Sequence, residues 1–352
     1  PDPLRLPPAL TDPNQPTDPM RPDAIRALLD TLPRTRLAAV PTRVVELPRL
    51  RAALGPETPE ILAKLDEETA FGLGGNKVRK LEYELAPPRL KDVTHLVTVG
   101  GPQSNHARVT AAAAARLGLG CVLVLNGDPP DPPTGNALLH RLLGAKVRVV
   151  GSREERARGM ETEIVRVAES GGKALAIPLG ASTPLGALGY VRCALEINDQ
   201  LPPESDRDLQ VILASSSGGT LAGMVAGFSL LERTDVHLLA VSSDTPAEEL
   251  QETAVELAGE ALELLEADPG RLLTMKGRLD VTDAEVGAGY GIPTQASREA
   301  TALLAMSEGL LVDPVYTSKA MAGLIRAVRT GRFLAGDRIL FLHTGGHPAL
   351  FA

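Results

Sequence analysis

Tryptophan is missing from this 352-residue chain, and only five phenylalanines and four tyrosines are present, so any large core has to be built from aliphatic side chains. Cysteine is almost as scarce. Cys121 and Cys193 both sit in apolar stretches without metal-ligand spacing, which reads as two core thiols in a reducing compartment. No uninterrupted apolar run reaches the ~20 residues of a membrane span and no secretory leader pattern is visible, so a cytoplasmic protein is expected. The six histidines form no HExxH, and no serine sits in GxSxG, which removes zinc hydrolysis and a nucleophile elbow; no metal is expected. Excess positive charge is lacking too. A net charge of −8 and a pI near 5.4 argue against nucleic acid and favour a small-molecule ligand.

What is present is a chain that is 43% hydrophobic and 23% charged, long enough for two domains. Residues 1–42 are proline-rich and predict an extended arm with one short helix near Asp23 to Leu32; Met20 within it is a candidate start. Beyond Leu81 the pattern alternates. Short apolar runs at His95–Gly100, Cys121–Leu125, Val147–Val150, Ala174–Leu179, Leu209–Ala214, Val236–Val241 and Ile339–Leu342 alternate with helical segments. Continuous apolar strands between helices predict an α/β protein with two open, twisted, mostly parallel sheets flanked by helices and a cleft between them.

Ligands in such folds bind where strands end and helices begin. Gly74-Gly75-Asn76-Lys77 leads into a helical pattern at Val78, Leu81 and Leu85, which places Lys77 at a helix start, where the dipole disfavours an ammonium and favours an anion. A neutral, nucleophilic lysine suited to Schiff-base chemistry is one reading; a glycine turn before a basic, solvated helix face is the other. Gly100 to Asn105 closes a strand and opens an alanine-rich helix, with Ser104 or Asn105 as its cap. Ser215 to Thr220 forms a small-residue turn before a helix, the shape of an anion nest for a phosphate, but without the Gly-Lys-Ser/Thr ending of a nucleotide loop. His343-Thr344-Gly345-Gly346 adds a fourth turn. Gly287 to Gly291 follows no convincing strand and is no dinucleotide fingerprint, and His106 reads as a hydrogen-bonded structural residue.

A lysine, a polar strand-end loop and a separate phosphate nest together suggest pyridoxal 5'-phosphate. FGLGGNKVRKLEYEL, VTVGGPQSNHAR, SSSGGTLAG, GYGIP, LLVDPVYTSKAMAGL and FLHTGG, in this order from about Val44 to the C-terminus, resemble the D-cysteine desulfhydrase and 1-aminocyclopropane-1-carboxylate deaminase family, within the tryptophan-synthase-β-like pyridoxal phosphate enzymes. The resemblance implies a homodimeric lyase that converts the small amino acid D-cysteine by α,β-elimination to pyruvate, sulfide and ammonia. Its large domain would be 43–82 with 188–352, and its small domain 83–187. Lys77 is similar to the lysine that forms the Schiff base and exchanges the Cα proton. Lys80 and Ser217, Gly218, Gly219 and Thr220 resemble the phosphate contacts, and Asn105 the partner of the ring hydroxyl. Ser104 and Gln103 resemble substrate contacts, Tyr290 and Tyr316 the two active-site tyrosines, and Thr317 the group facing the pyridine nitrogen. Thr317, Thr344 and His106 follow the desulfhydrases, where deaminases carry glutamate, leucine and glutamine. Lys64-Leu65-Asp66-Glu67 departs from the usual lysine, arginine and two acids, so a charge contact near the cofactor is expected to be missing. The alternatives are the deaminase reaction and a non-catalytic binder of pyridoxal phosphate or a sugar phosphate.

Overall fold

The computed structural model describes residues 20–352, so the first half of the proline-rich segment lies outside the described residues. The chain begins with α1 (Pro22–Thr31), β1 (Val44–Glu46), α2 (Pro48–Leu54), β2 (Glu60–Leu65) and α3 (Asn76–Glu84). It alternates through β3 (His95–Gly100), α4 (Asn105–Leu117), β4 (Gly120–Asn126), α5 (Gly135–Leu142), β5 (Lys146–Val150), α6 (Glu155–Glu169) and β6 (Ala174–Ile177). The rest is α7 (Pro184–Gln200), β7 (Leu209–Ser215), α8 (Gly219–Leu230), β8 (Val236–Ser242), α9 (Ala247–Leu264), β9 (Leu279–Thr282), α10 (Gln295–Glu308), α11 (Thr317–Arg329) and β10 (Arg338–His343).

Two sheets result. One has four strands in the order β5-β4-β3-β6, all parallel; the other has six in the order β1-β2-β10-β7-β8-β9, parallel except for the β1–β2 pair. The seven apolar runs predicted from sequence are β3 to β8 and β10, and the central strands are apolar on both faces because both faces are covered. In β7 and β10, Val211, Leu213, Leu340 and Leu342 join the core formed with α7, α8 and α9, whereas Ile212, Ala214, Ile339 and Phe341 join the one formed with α2, α10 and α11. A third cluster joins Leu96, Leu123 and Leu125 of the smaller sheet to α3 and α4.

Within residues 20–42 the expected short helix is α1, and the segment packs onto the large core. Ile25 and Leu29 of α1 are fully buried in the large core, and the backbone N–H groups of Leu37 and Ala38 donate to the Glu82 carboxylate at 2.7 and 2.8 Å. Proline content limited regular structure there without preventing packing. Beneath α3 lies a charged knot: Asp66 accepts from Arg79 Nε and Nη2 at 2.8 Å, from Tyr190 at 2.6 Å and from Thr42 at 2.8 Å, and Arg79 also meets Glu196. Lys64 donates to Glu196, Gln200 and the Thr42 carbonyl. Lys64 and Asp66 thus serve this knot, which anchors α3 to α7, while Leu65, the residue that departs from the expected pattern, is buried in the core formed with α2, α10 and α11. Helices α7 and α8 approach so closely that a Cβ on Gly223 would fall 2.2 Å from the Ala187 carbonyl oxygen. No helix among the described residues is long and apolar enough to cross a membrane.

Candidate active site

The C-terminal ends of β3, β7, β8 and β10 point at one cavity, lined among others by Lys77, Ser104, Asn105, Ser217, Gly218, Gly219, Thr220, Tyr290, Tyr316 and Thr344. Ten of the thirteen residues singled out in the sequence thus converge from separate segments. Lys77 is the second residue of α3, delivered by Gly74 and Gly75, whose φ values of +66° and +105° need glycine. Burial lowers the Lys77 ammonium to about 8 from 10.5. A fraction of the amine is therefore neutral near physiological pH. Asn76 binds the helix start to two other cavity walls, through Nδ2 to Thr220 Oγ1 at 3.0 Å and through its N–H to the Thr344 carbonyl at 3.0 Å.

Opposite α3, the turn before α8 combines the positive end of a helix with hydroxyl groups. Lys80 Nζ donates to Ser182 Oγ at 2.9 Å; Ser182 Oγ lies 2.8 Å from Ser217 Oγ and accepts from the Gly219 N–H at 3.3 Å. A Cβ on Gly219 would intrude 2.8 Å from Lys80 Nζ and 2.7 Å from Ser182 Oγ. Desolvation, and then the neighbouring charge of Lys77, hold Lys80 well below the usual lysine range, an instability that an anion between the two lysines would relieve. Such a cradle fits a phosphate group. Lys80 does not line the open cavity but reaches this cradle from behind, and Ser182, between β6 and α7, was missed because nothing in its local sequence marks it.

Ser104 caps α4, accepting from the Ala107 N–H at 3.2 Å, and Asn105 Oδ1 accepts from Asn136 at 2.8 Å. His106 is buried and held neutral, chiefly by desolvation, with Nε2 2.8 Å from Thr98 Oγ1, a hydrogen-bonded structural position. The hydroxyls of Tyr290 and Tyr316 are hydrogen-bonded to each other, with rings in edge contact at 5.8 Å. Lys319 steadies the Tyr290 loop by donating to the carbonyls of Val286 and Gly289 at 2.8 and 3.1 Å.

Besides Lys80, two of the expected site residues do not line this cavity. Thr317 does not border the cavity: its hydroxyl donates to Asp313 Oδ1 at 2.7 Å and accepts from the Asp313 N–H at 2.8 Å, so it closes the turn before α11. Thr344 occupies the cavity wall instead. Gln103 is likewise turned away, its Oε1 accepting from the Asn136 N–H at 2.7 Å and its Nε2 donating to the Thr134 carbonyl at 3.2 Å. Three charged cavity residues went unread in the sequence: Arg153 and Arg156, at the start of α6, and Asp244, just after β8. Glu67, beside His343, is partly buried and its carboxyl is pushed up to about 8, mainly by desolvation. Cys121 and Cys193 are both buried and free.

A buried lysine facing a phosphate cradle across the interface of two parallel sheets defines a pyridoxal phosphate enzyme of the tryptophan-synthase-β-like fold. Comparison with known proteins makes the assignment firm: residues 35–345 match the family described as Pyridoxal-phosphate dependent enzyme, and the chain belongs to it. It is 40% identical, over 92% of its own length and 97% of theirs, to D-cysteine desulfhydrases from Salmonella newport (strain SL254) and Salmonella schwarzengrund (strain CVM19633). Among solved structures, an ACC deaminase homologue superposes with a TM-score of 0.83 at 35% identity, covering 94% of this chain and 97% of the other. A pyridoxal 5'-phosphate-dependent aspartate racemase, at 16% identity and a TM-score of 0.64, covers 94% of this chain and 97% of its own and shares the fold alone. The protein is a pyridoxal 5'-phosphate-dependent enzyme.

Proposed function

We propose that the protein is a carbon–sulfur lyase that converts D-cysteine to pyruvate, sulfide and ammonia by α,β-elimination. The single observation that carries this reading is Lys77, a buried amine lowered to about 8 and set on the cavity opposite the phosphate cradle; the desulfhydrase relatives, at 40% identity, support the substrate. When bound, the cofactor supplies an electron sink for the negative charge that develops at the substrate Cα. The chain's own residues do the rest. Ser217 to Thr220, Ser182 and Lys80 would hold the phosphate, and Asn105 and Thr344, on the cavity wall, would offer hydrogen bonds to the ring. Ser104 and the first N–H groups of α4 receive the substrate carboxylate, while Lys77 holds the cofactor and moves the Cα proton. The Tyr290–Tyr316 pair offers a proton near the departing sulfur.

A hydroxyl rather than a carboxylate at the ring nitrogen makes a shallower electron sink. That suffices for D-cysteine, which has an abstractable Cα proton and a good leaving group, but not for aminocyclopropane carboxylate, which has no Cα hydrogen. The resemblance also supports a cytoplasmic homodimer, with 43–82 and 188–352 as the large domain and 83–187 as the small one. The test is steady-state kinetics of the holoenzyme, with pyruvate and sulfide expected from D-cysteine and little 2-oxobutyrate from aminocyclopropane carboxylate. A higher kcat/KM for the cyclopropane substrate would replace the desulfhydrase reading with the deaminase one.

A further inference from the structure

The start of α5 holds a chain of amide groups that the roles assigned so far leave unused. Thr134, the residue before the helix, makes no cap bond with its own side chain. Gln103 caps the helix in its place: its Oε1 accepts from the Asn136 N–H at 2.7 Å, the bond an N-cap makes to the second residue of a helix, and its Nε2 donates to the Thr134 carbonyl at 3.2 Å. Gly135, at φ +53°, leaves room for this approach, since a Cβ there would lie 2.5 Å from Gln103 Oε1. Asn136 itself is fully buried and its amide nitrogen is engaged twice. Nδ2 donates to the Gln103 carbonyl oxygen at 2.8 Å and to Asn105 Oδ1 at 2.8 Å, while Asn136 Oδ1 has no partner among the described residues.

These contacts decide which way two amides point. A carboxamide turned over exchanges a donor for an acceptor, whereas the Gln103 carbonyl can only accept. It forces Asn136 to present Nδ2, because with that amide reversed two oxygens would meet at 2.8 Å. Nδ2 in turn can face only an acceptor, so Asn105 must present Oδ1 to it. That leaves Asn105 Nδ2, a pure donor without a hydrogen bond among the described residues, for the cavity that Asn105 lines. Asn136 Oδ1 goes unmet in this arrangement, which destabilises the fold and marks the orientation of the nitrogen as the function of the residue. Resting on the reading of Asn105 as the partner of the cofactor's ring oxygen, we propose that Asn136, held by the Gln103 carbonyl, is a positioning residue that locks Asn105 with its donor toward that oxygen. The chemistry it selects is an ionised ring oxygen, to which a fixed N–H donor makes a charge-assisted hydrogen bond. An Asn105 free to turn could present Oδ1 instead and so stabilise the hydroxyl form.

The experiment is a double-mutant cycle on cofactor affinity, with wild type, Asn105→Ala, Asn136→Ala and the double variant each titrated as apo-protein with pyridoxal phosphate and followed by absorbance. Asn105→Ala should raise the dissociation constant roughly 10- to 150-fold, the range for a hydrogen bond to a charged group, and Asn136→Ala roughly 2- to 12-fold, the range for a neutral one. Because Asn136 acts through Asn105, the double variant should bind like Asn105→Ala alone, within about twofold, whereas a merely structural residue would weaken both backgrounds by the same factor. The bound cofactor gives a second readout, since its ionised ring oxygen absorbs at longer wavelength than the hydroxyl form. Asn136→Ala should lower the long-wavelength share in the wild-type background and leave it unchanged in the Asn105→Ala background. Urea unfolding checks that each variant folds; should Asn136→Ala fail to, Asn136→Ser, whose single O–H can serve the Gln103 carbonyl but not Asn105 as well, carries the same cycle. If Asn105→Ala weakens binding and Asn136→Ala either does not or multiplies with it, the positioning assignment is overturned while the reading of Asn105 stands. If Asn105→Ala itself binds within about twofold of wild type, that reading falls and the positioning role with it.

Discussion

Replacing Gly219 by alanine tests the phosphate cradle with a single methyl group. Gly219 is the first residue of α8 and its φ is not in the left-handed region, so the backbone accepts alanine without torsional strain. The obstacle is space. The new Cβ would lie 2.7 Å from Ser182 Oγ, 2.8 Å from Lys80 Nζ and 2.8 Å from Ser182 Cα. The lysine end can swing away, but the Ser182 backbone cannot, so the chain Lys80–Ser182–Ser217 must open where the phosphate binds. Loss of one hydrogen bond to a charged group costs about 1.5–3 kcal/mol, so the dissociation constant for pyridoxal phosphate should rise roughly 10- to 150-fold. The control is Gly223→Ala, one turn along the same helix, whose Cβ would meet the Ala187 carbonyl oxygen at 2.2 Å and Tyr190 Cβ at 2.4 Å. Overpacking there should cost about 1–3 kcal/mol of stability, with the affinity of the folded fraction nearly unchanged. Absorbance titration of the apo-proteins and urea unfolding separate the two effects. An affinity of Gly219→Ala within twofold of wild type would remove the α8 turn from cofactor binding.

Lys77→Ala should abolish both elimination and the visible absorbance of the cofactor-bound protein, and a borohydride-trappable cofactor in the variant would displace Lys77 from its role. Because burial lowers this amine to about 8, capture of the cofactor by the apo-protein should accelerate as pH rises and reach half its limiting rate near 8; a midpoint at the ordinary lysine value of 10.5 would contradict the burial argument. Asp66→Asn should destabilise the fold by about 3–5 kcal/mol, since it leaves Arg79 buried with a weakened partner. A loss below about 1 kcal/mol in urea unfolding would mean that Glu196 alone can neutralise Arg79.

The sequence was most legible where chemistry and backbone conformation are written in the same residues. Gly74 and Gly75 announce a turn and Lys77 the group it delivers, and both sit as expected because positive φ leaves few alternatives to glycine. The serine–glycine turn before α8 was readable for the same reason: small residues, exposed N–H groups and a helix start coincide within six positions. Within residues 20–42 the short helix was legible and is α1, but its packing was not, because proline content reports on hydrogen-bonding capacity, whereas Ile25 and Leu29 are held by a core that only the folded α7 provides.

Side chains whose target is set by tertiary contacts were the ones that escaped. Thr317 and Thr344 look equally suited to face a ring nitrogen. What separates them is Asp313, four residues before Thr317, which accepts hydrogen bonds from the Val315, Tyr316 and Thr317 N–H groups and from the Thr317 hydroxyl, leaving that hydroxyl nothing to offer a ligand. The consequence reaches the chemistry. A glutamate in place of Thr317 would have to break this turn before it reached the cavity, setting a second buried carboxylate beside Asp313, whose own pKa burial already raises. Arg153 and Arg156 were hidden for the opposite reason: a run of charges at a helix start reads as a solvated face, and only the meeting of the ends of β5 and β8 turns that face toward a cavity. A site of this kind is therefore assembled by two rules of different reach. The turns that carry Lys77 and the phosphate cradle are encoded locally and can be read from the sequence, while the wall where Tyr290, Tyr316, Arg153 and Arg156 meet is brought together by packing, so it can change without disturbing those turns.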